Sequence, residues 1–242
     1  MIWDYSDISK MVDHALLKPT LRTLDLEEGC LMARTYDVAS VCIMPFAVKQ
    51  CADLLDGSNV TPGTTIGFPH GASTIKSKVD QSKTALADGC TELDMLINIS
   101  KLLSGDWNYV RSEVQAVVDI THEHGQRLKI IFETCYLSDD DKIRLCEICG
   151  ETGADWVKTS TGFGTGGATL EDLTLMRKHS PDSVQVKASG GIRTLDTLLS
   201  VRDIGVTRIG TSSTQTILDE ARRRLDLPPI EFNGPAENST GR

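Results

Sequence analysis

The feature that most constrains this chain is a rhythm. Short β-rich runs recur at MVDHALL (from Met11), VASVCI (Val38), TTIGF (Thr64), TELDMLI (Thr91), LKIIFE (Leu128), DWVKTS (Asp155), SVQVKAS (Ser183) and TRIGTS (Thr207). Their seven steps span 196 residues, a mean of 28 residues per unit. Helix-like stretches lie between them, and four end in Gly89, Gly125, Gly153 or Gly205. Glycine readily takes the left-handed conformation that closes a helix. Ser138 and Thr194 stand where helix N-caps belong.

Strands alternating with helices need crossover connections, so the sheet is predicted to be parallel. Eight such units in 242 residues match a closed (β/α)8 barrel. An open, doubly wound sheet would carry a glycine fingerprint after its first strand, and none follows MVDHALL. The expected architecture is α/β: a single (β/α)8 barrel over residues 1–226 with a short N-terminal helix. Residues 227–242, with Pro228, Pro229 and Pro235, read as a loose tail.

Composition narrows the partners. With 25 basic and 34 acidic residues the net charge is −9, which disfavours general nucleic-acid binding. No apolar run approaches the roughly 20 residues of a membrane span. The opening MIWDYSDISK has acids and no basic, then apolar, signal pattern. An odd count of seven cysteines in a long chain points to reduced thiols and a cytoplasmic location. Cys146 and Cys149 lie in a helical pattern with no second pair to complete a zinc site, so they are read as buried thiols.

In such barrels the active site lies at the C-terminal ends of the strands. Four runs carry a conspicuous charge: Asp13, Asp94, Lys158 and Lys187. A single strand lysine ordinarily faces solvent. Two in neighbouring strands, each flanked by valine, read instead as a pair inside the barrel, because lysine is rarely buried unless paired or used. Two ammonium groups about 4 Å apart at an effective dielectric of about 20 repel by up to about 4 kcal/mol. That weakens proton binding up to about a thousandfold and frees an amine near neutrality. A neutral lysine attacks a carbonyl to give a Schiff base, and a carboxylate such as Asp94 can move the protons.

The last two strands end in small residues. Gly190 and Gly191 precede a helix capped at Thr194, and Gly210, Ser212 and Ser213 precede the final helix. Backbone N–H groups converging there would hold an anion, at the address where such barrels often hold phosphate.

The segments DHALLKP, VCIMP, IGFPHG, ELDMLINI, ETCYL, WVKTSTGFGTGGAT, VKASGGIRT and RIGTSS resemble those of the deoxyribose-phosphate aldolase family, in order, from about residue 8 to 220. The resemblance implies a TIM barrel and a metal-free, cofactor-free class I aldolase. Such an enzyme reversibly cleaves 2-deoxyribose 5-phosphate to glyceraldehyde 3-phosphate and acetaldehyde. It implies Lys158 as the Schiff-base lysine, Lys187 as the second lysine and Asp94 as the proton-relay carboxylate. Asp13, Cys42, Thr161 and Gly162 would bind substrate. Gly190, Gly191, Gly210, Ser212 and Ser213 would receive the phosphate. It further implies a homodimer or homotetramer. Alternatives are the same Schiff-base chemistry on another aldehyde or phosphosugar, or a non-catalytic phosphosugar-binding barrel.

Three departures stand out. Ala15 occupies a position where the family commonly has threonine, and Met44 one where many members have asparagine. The tail lacks the terminal tyrosine of some members; the tyrosines here are Tyr5, Tyr36, Tyr109 and Tyr136. His122 and His124 close a helix and are not read as metal ligands. His70 is expected at the surface, and Arg222–Arg224 form a solvated helix end.

Overall fold

The computed structural model describes residues 3–232. Eight parallel strands close in chain order, β8 pairing back onto β1. They are β1 (Val12–Leu16), β2 (Ser40–Ile43), β3 (Thr61–Ile66), β4 (Glu92–Leu96), β5 (Arg127–Ile131), β6 (Trp156–Lys158), β7 (Gln185–Ser189) and β8 (Arg208–Thr211). The helices are α1 (Tyr5–Ser9), α2 (Thr23–Thr35), α3 (Val48–Leu55), α4 (Ile75–Ala87), α5 (Ile99–Leu103), α6 (Trp107–Glu123), α7 (Asp139–Thr152), α8 (Leu170–His179), α9 (Leu195–Asp203) and α10 (Thr214–Arg224). The (β/α)8 barrel expected from the rhythm is the fold, and α1 is its short N-terminal helix.

Local chemistry sets the element ends. Ser138 accepts from the Asp141 N–H while the Asp141 carboxylate accepts from the Ser138 N–H, closing a capping box on α7. Thr194 accepts from the Thr197 N–H at the start of α9. Gly89, Gly125, Gly153 and Gly205 all have positive φ at helix ends.

Strand alternation divides the interior in two. Val12, Val41, Leu93, Ile130, Val157, Val186 and Ile209 are fully buried in the hydrophobic core. Each contributes about 1.5–3 kcal/mol by burial between wall and helices. Their neighbours in sequence, one residue away, therefore face the barrel axis. That inner face carries the charges.

Residues 227–232 have no regular secondary structure, but Arg222 donates to the Pro228 carbonyl at 2.8 Å, and Ile230 and Phe232 pack against the core. The rest of the expected tail, with the NSTGR segment, lies outside the described residues. Among the described residues no helix is long and apolar enough to cross a membrane.

Candidate active site

Register brings the strand lysines together. Lys158 on β6 and Lys187 on β7 are directly paired, as are Asp94 on β4 and Lys129 on β5. Lys158 and Lys187 each donate to Asp94 Oδ2 at 2.7 Å. Their nitrogens therefore lie no farther apart than two hydrogen bonds laid end to end. Lys129 reaches the other oxygen of Asp94 at 3.1 Å. Lys187 also meets Asp13 Oδ2 at 2.5 Å.

The charged set is wider than the sequence reading allowed. Six strands contribute, not four: Glu92 on β4, Arg127 and Lys129 on β5, and Arg208 on β8 join Asp13, Asp94, Lys158 and Lys187. Lys129 pairs with Glu92 Oε2 at 2.5 Å, and Arg208 reaches Glu92 Oε1 at 2.7 Å and also pairs with Asp13. Arg127 closes the far end, 2.8 Å from Glu92, with its side chain 47% exposed. The Trp156 ring floors this layer. Arg127, Lys129 and Arg208 stand 5.3–5.6 Å from its centre, and its indole N–H donates to Thr207.

Counting charge shows which lysine holds its proton least tightly. Asp13, Glu92 and Asp94 face four buried cations: Lys129, Lys158, Lys187 and Arg208. Fully ionised, that buried set carries one excess positive charge, and with Lys158 neutral it balances; Arg127 stands half in solvent, which screens its charge. Lys158 is also the least held, touching a single carboxylate, whereas Lys129 touches three and Lys187 and Arg208 two each. An uncompensated buried charge is the expensive one.

The pKa directions agree. Burial lowers Lys158 below the usual 10.5; Asp94 opposes this and Lys187 adds to it. Burial also opposes the charge on Lys187, but Asp13 and Asp94 outweigh it, so Lys187 is raised. Asp94 is itself buried, yet Lys129, Lys158 and Lys187 hold it well below the carboxylate range. This corrects the sequence reading, in which repulsion between two amines was the main cause. Asp94 between them cancels much of the repulsion, and desolvation does the larger share.

Above the lysines opens a cavity of about 370 Å3. Lys158, Lys187, Asp13, Cys42, Thr161, Gly162, Gly190, Gly191, Gly210, Ser212 and Ser213 all line it, whereas Asp94 lies behind the lysines. Burial pushes the Cys42 thiol up to about 11, so it is a protonated wall residue rather than a nucleophile. The Gly190 backbone packs against Gly167: a Cβ on Gly190, at φ +82°, would sit 2.8 Å from the Gly167 Cα. Only glycine fits that crossing.

Sequence reasoning missed the exposed cations Lys18 and Arg193, which line the same mouth. It also missed Glu133, just after β5. Buried and left-handed (φ 57°), Glu133 accepts from the Thr161 N–H at 3.1 Å and from the Thr161 hydroxyl, anchoring the loop after Lys158. Nothing in ETCYL marks that backbone state. The two family departures separate: Ala15 lines the cavity, while Met44 lines an adjoining pocket with Leu17, Pro45, Thr65, Phe68 and Gln81.

The residues set aside lie elsewhere. His122 pairs with Asp155 at 2.9 Å, His124 bonds the Ile120 carbonyl, and His70 is exposed. Cys146 and Cys149 are buried thiols on α7, and all seven cysteines are free.

Residues 8–212 match the family described as DeoC/LacD family aldolase. The deoxyribose-phosphate aldolase of Rhodopirellula baltica is 54% identical over 239 residues, covering 99% of this chain and 98% of the relative. That of Caldanaerobacter subterraneus is 47% identical over 219 residues, covering 90% and 95%. A solved structure, described as the unique tetrameric structure of the deoxyribose phosphate aldolase from Aeropyrum pernix, superposes with a TM-score of 0.83 at 28% identity, covering 92% of this chain and 93% of that one. On the strength of a family match across most of the barrel, this chain belongs to the DeoC/LacD family of aldolases.

Proposed function

We infer that the chain is a deoxyribose-phosphate aldolase, reversibly cleaving 2-deoxy-D-ribose 5-phosphate to D-glyceraldehyde 3-phosphate and acetaldehyde by a Schiff base on Lys158. The observation that carries the mechanism is the sharing of one Asp94 oxygen by two lysines beneath the cavity. Neutral Lys158 Nζ attacks the C1 carbonyl. Lys187, kept protonated, supplies the proton that lets the carbinolamine lose water, and Asp94 passes protons between the two amines. The iminium then accepts the electron pair of the C2–C3 bond as the C3 hydroxyl gives up its proton, releasing glyceraldehyde 3-phosphate. The enamine left on Lys158 is reprotonated at C2, and water returns the amine and acetaldehyde.

Asp13, Cys42, Thr161 and Gly162 line the sugar end of this reading. Gly190, Gly191, Gly210, Ser212 and Ser213 receive the phosphate, with Lys18 and Arg193 as counter-charges at the mouth. Residues 1–226 act as one catalytic unit, located in the cytoplasm and assembled as a homodimer or homotetramer.

Purified protein given 2-deoxy-D-ribose 5-phosphate should release acetaldehyde and glyceraldehyde 3-phosphate in equal amounts. Binding of the phosphosugar without cleavage would overturn this in favour of a sensor. Faster turnover of another phosphosugar would favour the substrate alternative, which Ala15 on the cavity wall motivates.

A further inference from the structure

Ser189 ends β7 two residues beyond Lys187. Their side chains leave the same strand face, and Ser189 stands about 6.6 Å farther along the strand, on its mouth side. It is 5% exposed and lines the cavity, yet its hydroxyl has no hydrogen-bond partner. Among the described residues, seven buried polar side-chain atoms lack a hydrogen bond. Only those of Asp13 and Ser189 belong to cavity-lining residues, and Asp13 is ion-paired. A hydroxyl stranded in this way costs about 1–3 kcal/mol, which alanine would avoid.

The strand end itself is fixed. The Ser189 N–H donates to Thr159 Oγ1, and the Ser189 carbonyl accepts from the Ala168 N–H. Gly210, its register partner on β8, leaves the hydroxyl room: a Cβ there would stand 3.1 Å from Ser189 Cβ and 3.3 Å from Oγ. Oγ itself has almost no accessible surface, and rotation about χ1 within that room brings it to the cavity between the lysine pair and the small-residue loops at Gly190–Gly191 and Ser212–Ser213. A phosphosugar tethered at both ends carries two hydroxyls over that gap: the C3 hydroxyl, which gives up its proton in cleavage, and the C4 hydroxyl, next to the phosphate-bearing carbon and so on the side of the Gly190–Gly191 loop that follows Ser189.

We propose that Ser189 Oγ is the hydrogen-bond partner of that hydroxyl, the C4 hydroxyl of the sugar and the C2 hydroxyl of glyceraldehyde 3-phosphate. Ser189 is then a specificity residue, selecting α-hydroxylated phosphoaldehydes as acceptors. The inference rests on the phosphosugar reading above.

The test runs the reaction in the addition direction with acetaldehyde as donor and two acceptors, D-glyceraldehyde 3-phosphate and 3-oxopropyl phosphate, which lacks the C2 hydroxyl. The kcat/KM ratio between them is compared in wild type and Ser189→Ala. The expected result is a preference for the hydroxylated acceptor that shrinks about three- to tenfold in the variant, the worth of one hydrogen bond. An unchanged ratio, whether both activities fall together or neither moves, overturns the proposal. Borohydride trapping of acetaldehyde is run on both proteins. Trapping lost only in the variant overturns the specificity role, because Ser189 would then be supporting the lysines. Trapping absent from the wild type overturns the Schiff-base reading first.

Discussion

Lys158 and Lys187 are register partners on β6 and β7, and both side-chain nitrogens point at one oxygen of Asp94. Their environments nevertheless pull them apart. Lys187 has a second carboxylate, Asp13, and keeps its proton; Lys158 has no other carboxylate and sheds its own more readily. On the proposed mechanism Lys158 is thus the nucleophile and Lys187 the acid beside it at the same pH.

Removing the nucleophile should end the chemistry. Lys158→Ala is expected to reduce cleavage to background while leaving the melting temperature close to wild type, because Lys158 is the surplus cation. Lys158→Arg should also be inactive, its guanidinium staying charged. Turnover assays with thermal melts check both.

Removing the acid should cost both activity and stability. Lys187→Leu leaves Asp13 and Asp94 short of a partner, so cleavage should fall by orders of magnitude and unfolding free energy by about 3–5 kcal/mol. Denaturant titration separates the two effects. Asp94→Asn should lower turnover as severely; near-normal turnover would remove Asp94 from the proton path.

Lys129 tests the charge balance. With Lys129→Met, three carboxylates face three cations including Lys158, so Lys158 should hold its proton more tightly. The acidic limb of the kcat/KM profile, which rises as Lys158 is deprotonated, should then move up by about one pH unit or more. A pH–rate profile of the variant checks the shift.

His14 should impose an acid limit on stability. It faces outward from β1, buried against α10, with Nδ1 2.8 Å from Thr214 Oγ1, and burial lowers its pKa from 6.5 to about 4. The unfolded chain binds this proton first, so stability present above pH 6.5 should be lost as pH falls towards 4. The loss is at most about 3 kcal/mol. Urea titrations of wild type and His14→Gln across that window should differ in slope.

Sequence and structure part company at identifiable places. All eight strands were legible because apolar runs bounded by turn residues recur with crossover spacing. Lys158 and Lys187 stood out because a charge between valines is conspicuous. Glu92 is legible two residues before Asp94 on the same strand face, whereas Arg127 and Lys129 open an otherwise apolar run, where charges ordinarily read as solvent-facing. Arg208 opens its strand, where a charge ordinarily reads as solvent-facing. Glu133 left no trace in sequence, since its left-handed backbone is imposed by the loop it anchors.

Borohydride reduction in the presence of acetaldehyde, followed by peptide mapping, tests the central claim most directly. A single reduced adduct on Lys158, absent from Lys187 and abolished in Lys158→Ala, is the predicted result. An adduct on Lys187, or active enzyme that acquires none, would contradict it.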